Sequence, residues 1–152
     1  MDGRTGYDLC EGGTMSSHKE RFIPRFSRWG KPFWEGAKRH ELMIQECSDC
    51  GYKNYPPTLY CPRCLSSNLK WVKASGKGRV HSYTVVYEYP PPGFKTPYII
   101  ALIDLEEGVR MLSNIVDCSP EDVKIGMPVE VAFIDVTEDF TLPVFRPLKE
   151  ER

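Results

Sequence analysis

Apolar and polar residues alternate from Gly78 to Tyr89 (GRVHSYTVVYEY), which sets His81, Tyr83, Val85, Tyr87 and Tyr89 on one side and Val80, Ser82, Thr84 and Val86 on the other. A period of two marks a β-strand, because successive side chains point to opposite faces. The loop PPPGFKTP at 90–97 breaks the pattern. PYIIALIDL at 97–105 reads as a continuous apolar strand, and EEG turns the chain into VRMLSNIVDC at 109–118. SPEDVKIG at 119–126 predicts a compact helix, with Ser119 as N-cap, Pro120 at the first position, acids in the first turn and Gly126 as the stop. MPVEVAFIDV at 127–136 and TLPVFRPL at 141–148 supply two further strands. Five strands with a short helix between the third and fourth is the order of an OB-fold barrel.

Upstream the pattern differs. Around KPFWEGAKRH, Pro32 suits a first helical turn, and Phe33, Trp34 and Ala37 share a face opposite Glu35, Lys38 and Arg39. Phe33 and Trp34 have two uses: docking on the protein's own body, the favoured reading, or gripping a partner subunit. LMIQ at 42–45, KNY at 53–55 and LKWV at 69–72 read as three short strands of a small ribbon. Residues 1–17 are rich in Gly, Ser and Thr and lack any period, so a mobile leader is expected there. Residues 1–14 are either a non-native start upstream of Met15 or a short disordered tail. The expected organisation is a leader over 1–22, a helical segment over 23–41, a ribbon over 42–75 and a barrel over 76–148.

Charge sharpens this division. The net charge of −1 hides a split: residues 42–79 carry six basic and two acidic side chains, whereas residues 80–152 carry six basic and thirteen acidic ones. An acidic barrel repels phosphates, so the nucleic-acid role common among ribbon-plus-OB proteins is disfavoured, although Tyr83, Tyr87 and Tyr89 would suit base stacking. No apolar run is long enough to cross a bilayer, and no secretory signal is visible at the N-terminus. A cytoplasmic location is expected, and there disulfides are the weak reading of the cysteines.

Four of the six cysteines form two Cys-x-x-Cys pairs, Cys47/Cys50 and Cys61/Cys64. Each pair in a tight turn places two sulfurs on one side of a metal, and Gly51 and Pro62 suit such turns. Thioredoxin chemistry uses one pair after a strand and before a helix, which is not the pattern here. Iron is the rival metal, since CxxCGY and CPxC echo rubredoxin, but the short insert leaves little chain to shield it. One zinc is expected, bound by Cys47, Cys50, Cys61 and Cys64. Four thiolates close the coordination sphere, so the site is structural. A segment of under forty residues also needs the metal in order to fold.

Catalytic groupings are scarce, and no catalytic residue is assigned. His81 lies in an alternating strand, while His18 and His40 have no acid paired to them in sequence. Cys118 reads as a small buried hydrophobe, Cys10 receives no role, and SGKG at 75–78 is too short for a phosphate loop.

The order KPFWEGAKRHEL, CSDCGYKNYPPTLYCPRC, SGKGRVHSYTVV, PYIIALIDLEEGVRMLSNIV, IGMPVEV and LPVFRP resembles one family. It is similar to the OB-fold acyl-CoA-associated proteins with an N-terminal rubredoxin-like zinc ribbon, and the likeness runs from Pro32 to about Pro147. Such proteins are accessory subunits of thiolase-like enzymes, including archaeal acetoacetyl-CoA thiolase linked to HMG-CoA synthase and thiolases or aldolases of steroid and aromatic degradation. The resemblance implies a non-catalytic subunit that completes a thiolase-type complex and helps enclose the CoA thioester. The partner then supplies the catalytic cysteine and histidines. By position, Cys47, Cys50, Cys61 and Cys64 match the metal ligands. Under this implication Lys53, Arg63, Lys77 and Arg79, with Lys70 and Lys73 beside them, are candidates for CoA-phosphate contacts. Phe33, Trp34 and Phe94 are candidates for contact with a partner or with pantetheine. An RNA-associated ribbon/OB module and a rubredoxin-like electron carrier are the alternatives.

Overall fold

A computed structural model describes residues 23–149. The leader with Cys10 and His18, and the last three residues, lie outside the described residues. A 3-10 turn, Arg28–Gly30, is capped by the Ser27 hydroxyl and runs into helix α1, Lys31–Lys38. Pro32 sits in its first turn, where a missing N–H costs nothing. Phe33 and Ala37 are buried, while Lys31 and Glu35 pair on the solvent side at 3.5 Å.

Three antiparallel strands follow, β1 (Met43–Cys47), β2 (Lys53–Asn54) and β3 (Leu69–Lys73), with β1 in the middle. Val131 donates to the Gly76 carbonyl at 2.7 Å where the chain leaves this sheet. Gly76 has φ of +78°, and a Cβ there would lie 2.4 Å from Val131 Cγ1, so no other residue fits this crossing.

The rest is a closed barrel of β4 (Lys77–Val86), β5 (Tyr98–Leu105), β6 (Arg110–Ile115), β7 (Pro128–Asp135) and β8 (Thr141–Pro147), in the order β4-β5-β6-β8-β7. The β6–β8 contact is parallel, through Ile115 and Phe145, and the other pairs are antiparallel. This is the expected OB topology. Val80, Ile99, Ile103, Met111, Val129 and Phe145 fill the interior.

Three local expectations are corrected. The segment 119–126 forms turns, not the barrel's short helix: Asp122 donates to Ser119 at 3.0 Å, and the next residues leave. Gly126 donates to Val80 O at 2.7 Å and Met127 O accepts from Val80 N at 3.0 Å, which pins the end of the segment to β4. The alternation along β4 is interrupted by a bulge between Val80 and Ser82. One extra residue reverses the facing of the strand beyond it, and it brings Val80 and Val85 to the same core. Tyr83, Tyr87 and Tyr89 are exposed. In β5 only Ile99, Ala101, Ile103 and Leu105 are buried, and Tyr98, Ile100, Leu102 and Asp104 form an outer row.

Ribbon, helix and barrel share one core. Phe33, Leu42, Ile44 and Ala74 belong to the same buried cluster as Val80, Ile103 and Phe145. At its edge Phe26 and Trp34 pack on Phe140, with ring centroids 5.8 and 5.0 Å away. Among the described residues no helix is long and apolar enough to cross a membrane.

Candidate metal centre and adjoining groove

The two cysteine pairs form matching knuckles. In the first, Gly51 N donates to Cys47 O and Cys47 N to Tyr52 O, both at 2.9 Å. In the second, Leu65 N donates to Cys61 O at 2.9 Å and Cys61 N to Ser66 O at 2.8 Å. Asp49 ties the knuckles together by accepting from the Ser66 hydroxyl and from Asn68 Nδ2 at 3.1 Å. Behind them a buried network that the sequence does not announce fixes the linker: Gln45 exchanges two hydrogen bonds with the Thr58 backbone, and Asn54 reaches Pro56 O and Thr58 Oγ1.

All four sulfurs lie within 4.8 Å of one another. Cys47 to Cys64 and Cys50 to Cys61 are 3.6 Å apart, far beyond a disulfide's ~2.05 Å bond. A tetrahedron with metal–sulfur bonds of ~2.3 Å has edges of about 3.8 Å, so the donors fit a four-thiolate ion. The proton balance agrees. Burial opposes ionisation of Cys61, yet the N–H groups of Cys64 and Arg63 with the neighbouring thiols bring it down to about 7. At Cys64 the Ser66 N–H favours the thiolate, but burial and the other three sulfurs push the thiol up to about 12. Four thiolates this close need a cation between them. No coordination position is left for a substrate.

The residues expected to contact a partner or pantetheine converge. Phe33, Trp34 and Phe94 line one groove of about 340 Å³ on the outer face of β5, β6 and β8, with Tyr55, Tyr98, Ile100, Leu112 and Leu142. Phe94 is half-buried, its ring 4.9 Å from that of Tyr98. Asn114 anchors the floor by donating to Ile99 O at 3.0 Å. Nothing local in the sequence brings helix, loop and strands to this place.

The basic residues do not form such a group. Lys53 and Lys70 both reach Glu46, and Lys73 reaches Glu41. Arg63 is exposed on the second knuckle. Lys77 and Arg79 begin β4, and Arg79 donates to Gly126 O at 3.0 Å. Arg79 lies opposite Asp104, six residues along β5 from the groove residue Tyr98 and four from Ile100, and it does not line the groove.

Two histidines do find acids. His40, in the left-handed region, meets Asp135 at 3.1 Å and stacks on Phe133, which joins the end of α1 to β7. The Thr141 hydroxyl and then His40 hold the Asp135 carboxyl below its ordinary value. His81 meets Asp104 at 3.0 Å, and Arg110, reaching Asp104 at 2.6 Å, lowers that carboxyl first. These partners lie 95 and 23 residues away, out of reach of a local reading. Cys118 is partly buried against the core, where burial raises its thiol.

A four-cysteine ribbon fused to a five-stranded closed barrel defines the class. The chain belongs to the family of ChsH2-like DUF35 proteins. Residues 34–70 match the ChsH2 rubredoxin-like zinc ribbon domain and residues 71–133 the ChsH2 C-terminal OB-fold domain. A DUF35 domain-containing scaffold protein of Methanocaldococcus jannaschii is 44% identical over 109 residues, covering 70% of this chain and 77% of that one. A probable enoyl-CoA hydratase alpha subunit of Thermomonospora curvata is 43% identical over 116 residues, 76% of this chain but only 36% of the longer relative. The benzoylsuccinyl-CoA thiolase subunit BbsA of Geobacter metallireducens is 33% identical over 86 residues, 57% of this chain and 52% of that one. Among solved structures, a chain of the Ltp2-ChsH2(DUF35) aldolase superposes with a TM-score of 0.78 at 40% identity, over 82% of this chain and 98% of that one.

Proposed function

We propose that this chain is a zinc-stabilised, non-catalytic accessory subunit of a thiolase-type acyl-CoA complex. In this role it supports carbon–carbon bond cleavage or formation on CoA thioesters and helps enclose the CoA moiety. The observation that carries the reading is the likeness to a chain of an aldolase assembly across 98% of that chain's length. Relatives named as thiolase and hydratase subunits support it, since their names share the CoA thioester and the multi-subunit enzyme.

The division of labour follows from the chemistry. A Claisen-type step needs a nucleophilic thiolate and a base for the α-proton. Among the described residues four thiols are taken by the metal, and burial and the Asp122 carboxylate both raise the Cys118 thiol and so disfavour its thiolate, while it donates to the Ser119 carbonyl. The partner therefore brings the nucleophile and the base. This chain brings the groove, whose Trp34 and Phe94, backed by the buried Phe33, suit the neutral pantetheine arm or an apolar surface of the partner. Zinc, when bound, supplies folding energy only. Any phosphate contact falls to Arg63, Lys77 or Arg79 acting singly, because Lys53, Lys70 and Lys73 of the ribbon are engaged by acids.

Co-purification with a thiolase-fold enzyme, followed by turnover with and without this chain, tests the reading. Activity is expected only for the pair, and Trp34→Ala should lower the pair's turnover with zinc content unchanged. Robust activity of the isolated chain, abolished by substitution of Cys118 or His81, would overturn it. The nucleic-acid reading has one observation in its favour, the exposure of Tyr83, Tyr87 and Tyr89. Micromolar RNA binding that weakens steeply with salt would support it.

A further inference from the structure

The four metal ligands are not equivalent. Cys47 and Cys61 are buried, at 1% and 0% exposure, whereas Cys50 is half-buried and Cys64 is exposed. Cys47 ends β1 and lies opposite Leu69 of β3, so the sheet fixes it. The Cys61 sulfur accepts from Arg63 N at 3.4 Å, and its own N–H is held by Ser66 O. Cys50 and Cys64 close the two turns on the solvent side. A ring of polar groups around Asp49, the residue before Cys50, joins these two turns. Its carboxylate accepts from the Ser66 hydroxyl and from Asn68 Nδ2, which lies 3.1 and 3.2 Å from the two oxygens. Asn68 N donates to Ser66 Oγ at 3.0 Å, and Ser48 N donates to Asn68 O at 2.8 Å, which closes the ring. Asp49 and Asn68 are exposed and lie outside the buried core cluster.

We infer that Asp49 is a positioning residue for the metal centre: it holds the Cys50 and Cys64 turns together, and the centre opens and reloads on the side of these two exposed ligands. A thiolate leaves a metal only when its stretch of chain moves away. Cys47 and Cys61 are held by the sheet and by buried surroundings, so their chain moves least. Ser66 and Asn68 follow Cys64 by two and four residues, and through them the Asp49 carboxylate ties the chain beside one exposed ligand to the chain beside the other. Groups that orient metal ligands from outside the coordination sphere typically change metal affinity by about 10–100-fold when removed. This role belongs to the metal centre alone and is independent of which enzyme the chain assists.

Transfer of zinc from the loaded full-length chain to an excess of a chromogenic chelator tests this, at a temperature well below unfolding. Asp49→Ala should release its metal at least about tenfold faster than wild type, with the hydrogen-exchange protection of β4 to β8 unchanged. Asp49→Asn keeps one acceptor oxygen and should lie between the two. Ser66→Ala should act in the same direction, and adding it to Asp49→Ala should change little, because both remove the same tie. It also supplies the comparison if Asp49→Ala cannot be isolated with metal. In the wild type, N-ethylmaleimide added during chelation should label Cys64 or Cys50 before Cys47 and Cys61, as mapped by mass spectrometry. A merely structural Asp49 would lower the melting temperature and leave the release rate and the labelling order alone. Release within about twofold of wild type in both Asp49→Ala and Ser66→Ala, or first labelling at Cys47 or Cys61, would overturn the inference.

Discussion

In the ribbon, three strands of five, two and five residues surround a metal site and a buried amide network, and few apolar side chains lie between them. In the barrel, five strands enclose Val80, Ile103, Met111, Val129 and Phe145, and the charged pairs stay on the outside. One region is held by coordination and directed hydrogen bonds, the other by apolar burial. The first kind of stability fails when a single donor is lost, and the second fails in proportion to the volume removed. The regions are nevertheless joined, since Leu42 and Ile44 of the ribbon side belong to the barrel's core cluster.

The largest break in this comparison is Cys61→Ser. Loss of the metal should cost more than about 4 kcal/mol and remove hydrogen-exchange protection from β1 to β3. The barrel strands should keep theirs at a lowered melting temperature. Simultaneous loss in both regions would show that the shared core makes them one cooperative unit. Phe145→Ala should cost about 3–5 kcal/mol and leave the metal in place, the reverse pattern. Between these lies Gln45→Ala, which strands the Thr58 N–H and the Thr58 carbonyl. It should cost about 1–3 kcal/mol in denaturant titration, with its effect confined to the ribbon.

The smallest effect is at the seam. The Asp135 carboxyl titrates below its ordinary value, so its contribution is present at neutral pH and is lost as pH falls through the carboxylate range. Asp135→Asn should lie slightly below wild type in thermal stability at neutral pH. The gap should close below about pH 4, and a gap that widens in acid would reverse the sign of this contact.

The parts legible in the sequence are those with local signatures. Two Cys-x-x-Cys pairs, a helix opened by Pro32 and five strands separated by Gly and Pro turns define the ribbon and the barrel without long-range information. The bulge after Val80 is hidden because one inserted residue leaves the alternation looking intact while reversing its sense. The helix expected at 119–126 has a good cap and stop, but the segment makes only a turn at Ser119–Asp122 before Gly126 bonds to Val80 across the barrel. The His40–Asp135 pair and the groove both depend on contacts between distant segments. For the groove, the aromatic character of Phe33, Trp34 and Phe94 is plain in the sequence, and only the fold shows that they meet.

The central claim is that the four-thiolate centre is a structural staple and not a site of redox chemistry. Elemental analysis of the purified full-length chain, read with its visible absorption spectrum, tests this most directly. Close to one zinc per chain and a colourless protein are the predicted result. Stoichiometric iron in a red protein with thiolate charge-transfer bands would contradict it and make electron transfer the leading function.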